Sequence, residues 1–271
     1  MGPRCGRQSA GRGRLSCCCT AGGSSPGLWG GPRLWDYLAP LAELLDDTFT
    51  VIRFDRRGCG RSTGGGPFTI AQAVDDMDQV RAALGFGRWA LAGHSWGAEL
   101  AVRHAARHPD RTTAIACIAG VGAGNGFWGA YAAERDRGLG PDRERLAALT
   151  AIPGSDRTPE QERDQCLLQW RPDFSPTSEP AEHALALWNT RPPEAAVNVT
   201  ANRELRVDRE TEDLHIAAGR VTCPVTMLFG ADDPRPWMAT RWSRPSRTPA
   251  GSSSSAPATL HGLSGPQTRE T

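Results

Sequence analysis

The chain contains no lysine: all 31 of its basic side chains are arginine. With Ala, Gly and Pro so abundant, that absence points to a GC-rich coding sequence. No apolar run approaches the roughly 20 residues that a membrane span needs, and the N-terminus has no apolar region of the kind that directs secretion. A net charge of only +1 speaks against a polyanionic partner, so no nucleic acid and no membrane is expected. The eight cysteines form no recognisable framework. Cys17, Cys18 and Cys19 are adjacent, which suits neither disulfide pairing nor the usual zinc spacing. Others fall in apolar stretches, where a free thiol behaves as a small apolar residue. A cytoplasmic location without metal or organic cofactor is the expectation, and the Asn198-Val199-Thr200 glycosylation sequon means little without a secretion signal. Residues 1–35 hold five arginines and no acid, residues 36–233 hold 21 arginines against 29 acids, and after Asp233 five arginines face Glu270 alone. The two ends therefore differ in kind from the middle.

At 271 residues and 39% hydrophobic content, the chain is long enough for one large core with an insertion. Residues 1–33 read as an irregular, low-complexity leader rather than a transit peptide, and Gly6 rules out the myristoylation pattern. Leu34 opens the ordered part. Residues 35–46 have helical spacing, and Phe49 to Phe54 alternates with β-branched residues as a buried strand does. It ends in the glycine-rich turn Asp55-Arg56-Arg57-Gly58-Cys59-Gly60-Arg61-Ser62. An amphipathic helix spans 69–85, a strand 88–95, a helix 97–108 and a continuous apolar strand 112–121. Strands without polar interruption, alternating with helices, mean a parallel sheet covered on both faces. From 122 to 219 the period is helical with frequent proline breaks, which suggests a cap over the carboxyl edge of the sheet. The sheet resumes within 220–237 and the pattern dissolves over 238–271, an irregular tail with no visible strand. Residues 34–121 and 220–237 thus form an α/β core, and 122–219 a helical cap.

The chemistry centres on Gly93-His94-Ser95-Trp96-Gly97, a Gly-x-Ser-x-Gly pattern with an apolar strand leading in and a helix leading out. A serine at such a strand-to-helix turn exposes its hydroxyl at the carboxyl edge of the sheet. The glycines are required because side chains there would collide with the neighbouring strand and helix. The helix that begins at the serine points free N–H groups at developing negative charge. A nucleophile of this kind needs a base and an orienting acid, and in this fold the acid follows the serine and the histidine follows the acid. Gly230-Ala231-Asp232-Asp233-Pro234 closes a strand, and Asp233, three after Gly230, is preferred to Asp232, which suits a turn cap.

Asp55-Arg56-Arg57-Gly58-Cys59-Gly60-Arg61-Ser62 closely resembles the Asp-x-Arg-Gly-x-Gly-x-Ser segment of α/β-hydrolases, and the elbow resembles their proline iminopeptidase branch, over roughly residues 34–237. The resemblance implies a mostly parallel sheet with a helical cap and a Ser-Asp-His triad. It also implies removal of an N-terminal proline or other residue from short peptides, relatives of the fold cleaving esters or amides instead. The substrate is then a small peptide or ester. Ser95 and Asp233 are the implied nucleophile and acid. The Trp96 backbone N–H and Gly31, in Trp29-Gly30-Gly31-Pro32, are the implied oxyanion donors, and Glu204 is a cap carboxylate that could bind a peptide's ammonium group. His261 stands at the right distance for the base.

Two departures stand out. The family's His-Gly-Gly-Pro is Trp29-Gly30-Gly31-Pro32 here, without the histidine and without a preceding apolar strand. His261 lacks the family's Gly-His-x-Pro-Trp context. One reading explains both: the two ends are translated out of frame. Taking the last base of each codon with the first two of the next, Ser16 to Thr20 yields Leu, Val or Met, then Leu-Leu, then His or Tyr, and glycine is permitted next. The same offset over Pro257 to Pro266 permits Gly-His-x-Pro-Trp, which makes His261 accidental. A catalytically dead product of a damaged frame is accordingly the rival to an active hydrolase. His94, His104, His108, His183 and His215 read as surface or packing residues.

Overall fold

The computed structural model describes residues 14–19, 39–58, 62–120, 127–154, 156–189, 201, 204–205, 208, 214–235 and 260–263. Among these residues, six strands form one parallel sheet in the order β2-β1-β3-β4-β5-β6. They are β1 (Arg14–Cys19), β2 (Phe49–Phe54), β3 (Trp89–His94), β4 (Thr112–Ile118), β5 (Val225–Gly230) and β6 (Leu260–Leu263). β2, β3, β4 and β5 fall within the apolar stretches that the sequence marks as strands.

The helices of the core are α1 (Ala39–Glu43), α2 (Ile70–Ala83) and α3 (Trp96–Arg107). Thr69 caps α2 by accepting the Gln72 N–H at 3.1 Å, and Gly85, at φ 78, ends the turn that follows it, a conformation that costs glycine nothing. Ile70, Val74, Met77 and Val80 recur at helical spacing and are all buried, each such side chain contributing about 1.5–3 kcal/mol. The central helix is α3. Every residue from Trp96 to Ala105 is buried, and the main core gathers around it, with Leu91 and Trp89 from β3, Ile115 from β4 and Met227 and Phe229 from β5.

Between β4 and β5 the chain builds the cap from α4 (Phe127–Leu139), α5 (Asp142–Ala151), α6 (Pro159–Trp170) and α7 (Pro180–Asn189). α8 (Leu214–Gly219) then returns the chain to the sheet. The cap has small cores of its own, one around Leu139, Leu146 and Leu168 and another around Cys166, Trp170 and Ala184. α6 starts with a capping box, Thr158 and Gln161 satisfying each other's backbone N–H.

Two short strands lie near the ends, where the sequence pattern shows none. β1, in Arg-Leu-Ser-Cys-Cys-Cys, fills a slot between β2 and β3, and β6 extends the sheet beyond β5. β1 alternates only over Arg14 to Cys17 and ends in three adjacent cysteines, and β6 is only four residues long, so pairing with neighbours is what reveals them. The order also fixes where a site can form. The chain leaves β1 for β2 on one side and then crosses to β3 on the other. Crevices at the carboxyl ends of strands open at such a reversal, and the end of β3 is His94, next to Ser95.

Candidate active site

Ser95 sits between β3 and α3 with φ 53 and ψ −119, a conformation that a side chain normally avoids and that functional sites concentrate. Two backbone bonds tie the turn down: Ser95 N–H donates to Ile118 O at 3.0 Å, and Ala98 N–H donates to Ser95 O at 3.1 Å. A Cβ placed on Gly93 would lie 2.2 Å from Gly97 O and 2.5 Å from Ala98 N. Glycine at 93 is therefore demanded by the backbone of the following helix. Trp96, the first residue of α3, is buried. Its indole lies under the Arg56 guanidinium, 4.8 Å from centre to centre, which joins the elbow to the glycine-rich loop after β2. That loop is closed by Ser62 Oγ donating to Asp55 O at 2.7 Å and by the Arg57–Asp76 ion pair.

Asp233 stands in the turn after β5, its N–H donating to Gly230 O at 3.2 Å. Its side chain is 6% exposed. Oδ1 accepts the Arg235 backbone N–H and one Arg235 guanidinium N–H, both at 2.9 Å. Asp232 points elsewhere and accepts the Ser175 hydroxyl at 2.6 Å, linking the turn after β5 to the cap. The two neighbouring carboxylates thus have separate partners, and it is Asp233 rather than Asp232 that accepts a backbone N–H within the turn.

A buried ionic cluster lies beside Asp233. Arg235, 3% exposed, lies over the Tyr131 ring at 5.2 Å and has a second nitrogen 3.9 Å from Asp173 Oδ1. Asp173 accepts the Tyr131 hydroxyl at 2.7 Å and Arg135 at 2.8 Å, and Arg135 also donates to Gln169 O. Burial and the charge of Asp173 push the Tyr131 phenol well above its ordinary range, so it remains a donor. His94 borders the same cluster. It is partly open at the surface yet closely surrounded by protein, and burial, then the charge of Arg235, hold it down to about 4 against the opposing pull of Asp173. At neutral pH this imidazole carries no charge.

The remaining candidates separate. Gly31 lies outside the described residues. His261 is the second residue of β6, opposite Leu228 in the register, so it lies within a strand instead of in a loop beyond one. Glu204 accepts the Phe68 N–H at 3.3 Å, bridging cap and core. His104 is fully buried and contacts Thr112, His108 packs tilted against His104, and His183 stacks on Phe174, all packing roles. Cys117 is no rival nucleophile, since burial and Cys223 push its thiol up to about 12. Among the described residues no group of three His, Cys, Asp or Glu side chains could hold a metal ion, and no helix is long and apolar enough to cross a membrane. Tyr131, Arg135, Asp173 and Arg235 escaped sequence reasoning. Only the nearness of Arg235 to Asp233 in the chain could have signalled it.

The model of the alpha/beta hydrolase fold matches residues 25–235. A proline iminopeptidase from Xylella fastidiosa (strain 9a5c) is 40% identical over 72 residues, 26% of this chain and 23% of that protein. One from Neisseria meningitidis (serogroup A / serotype 4A, strain DSM 15465 / Z2491) is 33% identical over 96 residues, 33% of this chain and 28% of that protein. The matched stretch therefore spans about a quarter of those curated relatives. Among solved structures, an alpha/beta fold family hydrolase from Bacillus anthracis str. Sterne superposes with a TM-score of 0.57 at 19% identity, covering 81% of this chain and 75% of that one. With its parallel sheet, elbow and cap in the family's order, the chain belongs to the α/β-hydrolase fold family.

Proposed function

We propose that this chain is a serine hydrolase of the proline iminopeptidase type, which removes an N-terminal residue from short peptides. The observation that carries the reading is the strained Ser95 at the carboxyl end of β3, with Asp233 in the turn that ends β5 two strands away. Ser95 Oγ attacks the scissile carbonyl while a histidine takes its proton. Asp233 orients that imidazole and stabilises its charge. Both bonds from Arg235 fall on Oδ1, which leaves Oδ2 to accept the imidazole N–H. The tetrahedral oxyanion is held by the Trp96 N–H at the start of α3 and by Gly31. His261 is the histidine candidate on β6, the strand beside β5. Glu204, which accepts the Phe68 N–H, is the cap carboxylate we assign to a peptide's ammonium group.

Hydrolysis of L-proline p-nitroanilide, of alanine p-nitroanilide and of p-nitrophenyl acetate by the purified chain tests the reading. Turnover of the proline amide above the other two supports it. Turnover confined to the ester assigns an esterase of the same fold.

A second reading, a catalytically dead product with frame-shifted ends, is favoured by one observation. β1 ends at Cys19, immediately before the position where the alternate frame codes His or Tyr, whereas Gly31 lies twelve residues further on. The family match, which runs from 25 to 235, likewise takes in neither β1 nor β6. The nucleotide sequence decides between them: an in-frame gene without the alternative Leu-Leu-His-Gly coding ends this reading.

A further inference from the structure

We propose that Arg235 is a positioning residue that fixes the Asp233 carboxylate and couples its orientation to the seating of the helical cap through Asp173, Tyr131 and Arg135. The proposal rests on reading Asp233 as the orienting acid. Arg235 holds Asp233 twice on the same oxygen, through its backbone N–H and its guanidinium. Two donors on one oxygen fix the carboxylate about its Cβ–Cγ bond and aim the other oxygen. The guanidinium is in turn held by its own surroundings: the Tyr131 ring beneath it and Asp173 at 3.9 Å. Asp173 belongs to the cap, in the short turn Arg171–Asp173 after α6, and is fixed by the α4 side chains Tyr131 and Arg135.

The cluster therefore contains two guanidiniums and two carboxylates, with little water to screen them. Charges so buried depend on mutual pairing, and breaking one member strands another. If the cap shifts on α4 or α6, Asp173 moves with it and Arg235 loses one of its two anionic partners. The cost is then transmitted to Asp233.

The test uses the full chain and a fluorophosphonate probe, whose inactivation of Ser95 separates into a maximal rate, kinact, and an apparent affinity, KI. Arg235→Met is expected to lower kinact about ten- to hundredfold, the scale of a misplaced catalytic group, with KI within about twofold of wild type. Arg235→Lys, which keeps a cation against Asp233, recovers part of that loss. Tyr131→Phe removes only the hydroxyl that holds Asp173 and is expected to lower kinact about fivefold, the scale of one hydrogen bond. Should Arg235→Met fail to fold, the Lys and Phe variants decide. Wild-type kinact in both, or a loss expressed only in KI, overturns the proposal. Asp233→Asn is measured alongside. If it labels like wild type, or if wild type itself does not label, the acid reading fails and takes the proposal with it. If Asp233→Asn is impaired while the Arg235 and Tyr131 variants are not, only the positioning role fails.

Discussion

Ser95 and Gly93 carry the steric demands of the elbow. The serine holds φ 53, ψ −119, where glycine sits without strain, so Ser95→Gly is expected to stabilise the chain by about 1 kcal/mol relative to Ser95→Ala. Urea unfolding of the two variants checks this, and a less stable glycine variant would show that the turn carries no strain. Gly93→Ala drives a Cβ into the Gly97 carbonyl and is expected to cost about 3 kcal/mol or more, read as a lower urea midpoint or loss of soluble protein. Both residues were legible in the sequence because their constraint is local: strand, turn and helix lie within a few residues. The Arg235 cluster was not, because Tyr131, Arg135 and Asp173 reach it from a cap that sequence order separates from Asp233 by about 60 to 100 positions.

Elements read well wherever a hydrophobic period ran for two turns or more, or a β-branched run had clear ends. The helix expected over 69–85 is α2 at 70–83, and the strand expected over Phe49 to Phe54 is β2 to the residue. β1 and β6 escaped because their apolar patterns are too short: β1 sits among Gly and Arg and ends in three adjacent cysteines, and β6 is four residues flanked by Ser, Pro, Thr and Gly. Their strand character comes from the neighbours they pair with. His261 inherits that difficulty, since its placement depends on a register that no local pattern announces. In the cap, the Thr158–Gln161 capping box makes a sharper forecast. Thr158→Ala is expected to lose about 1 kcal/mol of stability while Ser95 labelling stays at the wild-type rate. A simultaneous loss of labelling would mean that the start of α6 reaches the site.

The whole molecule should be sensitive to acid. His104 is buried, and burial, then His108, hold its imidazole down to about 4. A base whose pKa is lower in the folded state than in the unfolded one binds more protons when unfolded. Its stability contribution is therefore complete above about 6.5 and is lost as pH falls toward 4, roughly 3 kcal/mol at about 1.4 per unit. Asp78 adds a second step. Burial pushes it up, but hydrogen bonding and charge from Arg81, with the charges of Arg111 and His108, bring it to about 2. Its contribution is present above about 4 and vanishes as pH falls from there toward 2. Urea midpoints measured from pH 7 to pH 4 should decline, and His104→Asn should flatten that decline; an unchanged slope would remove His104 from the account. The central claim, a serine activated by a histidine that Asp233 orients, is tested most directly by treating the folded chain with a fluorophosphonate and locating the adduct by mass spectrometry. An adduct on Ser95 is expected that is absent in Ser95→Ala and forms about 10⁴-fold more slowly in Asp233→Asn. No adduct on the folded chain, or one that forms equally fast in Asp233→Asn, would contradict it.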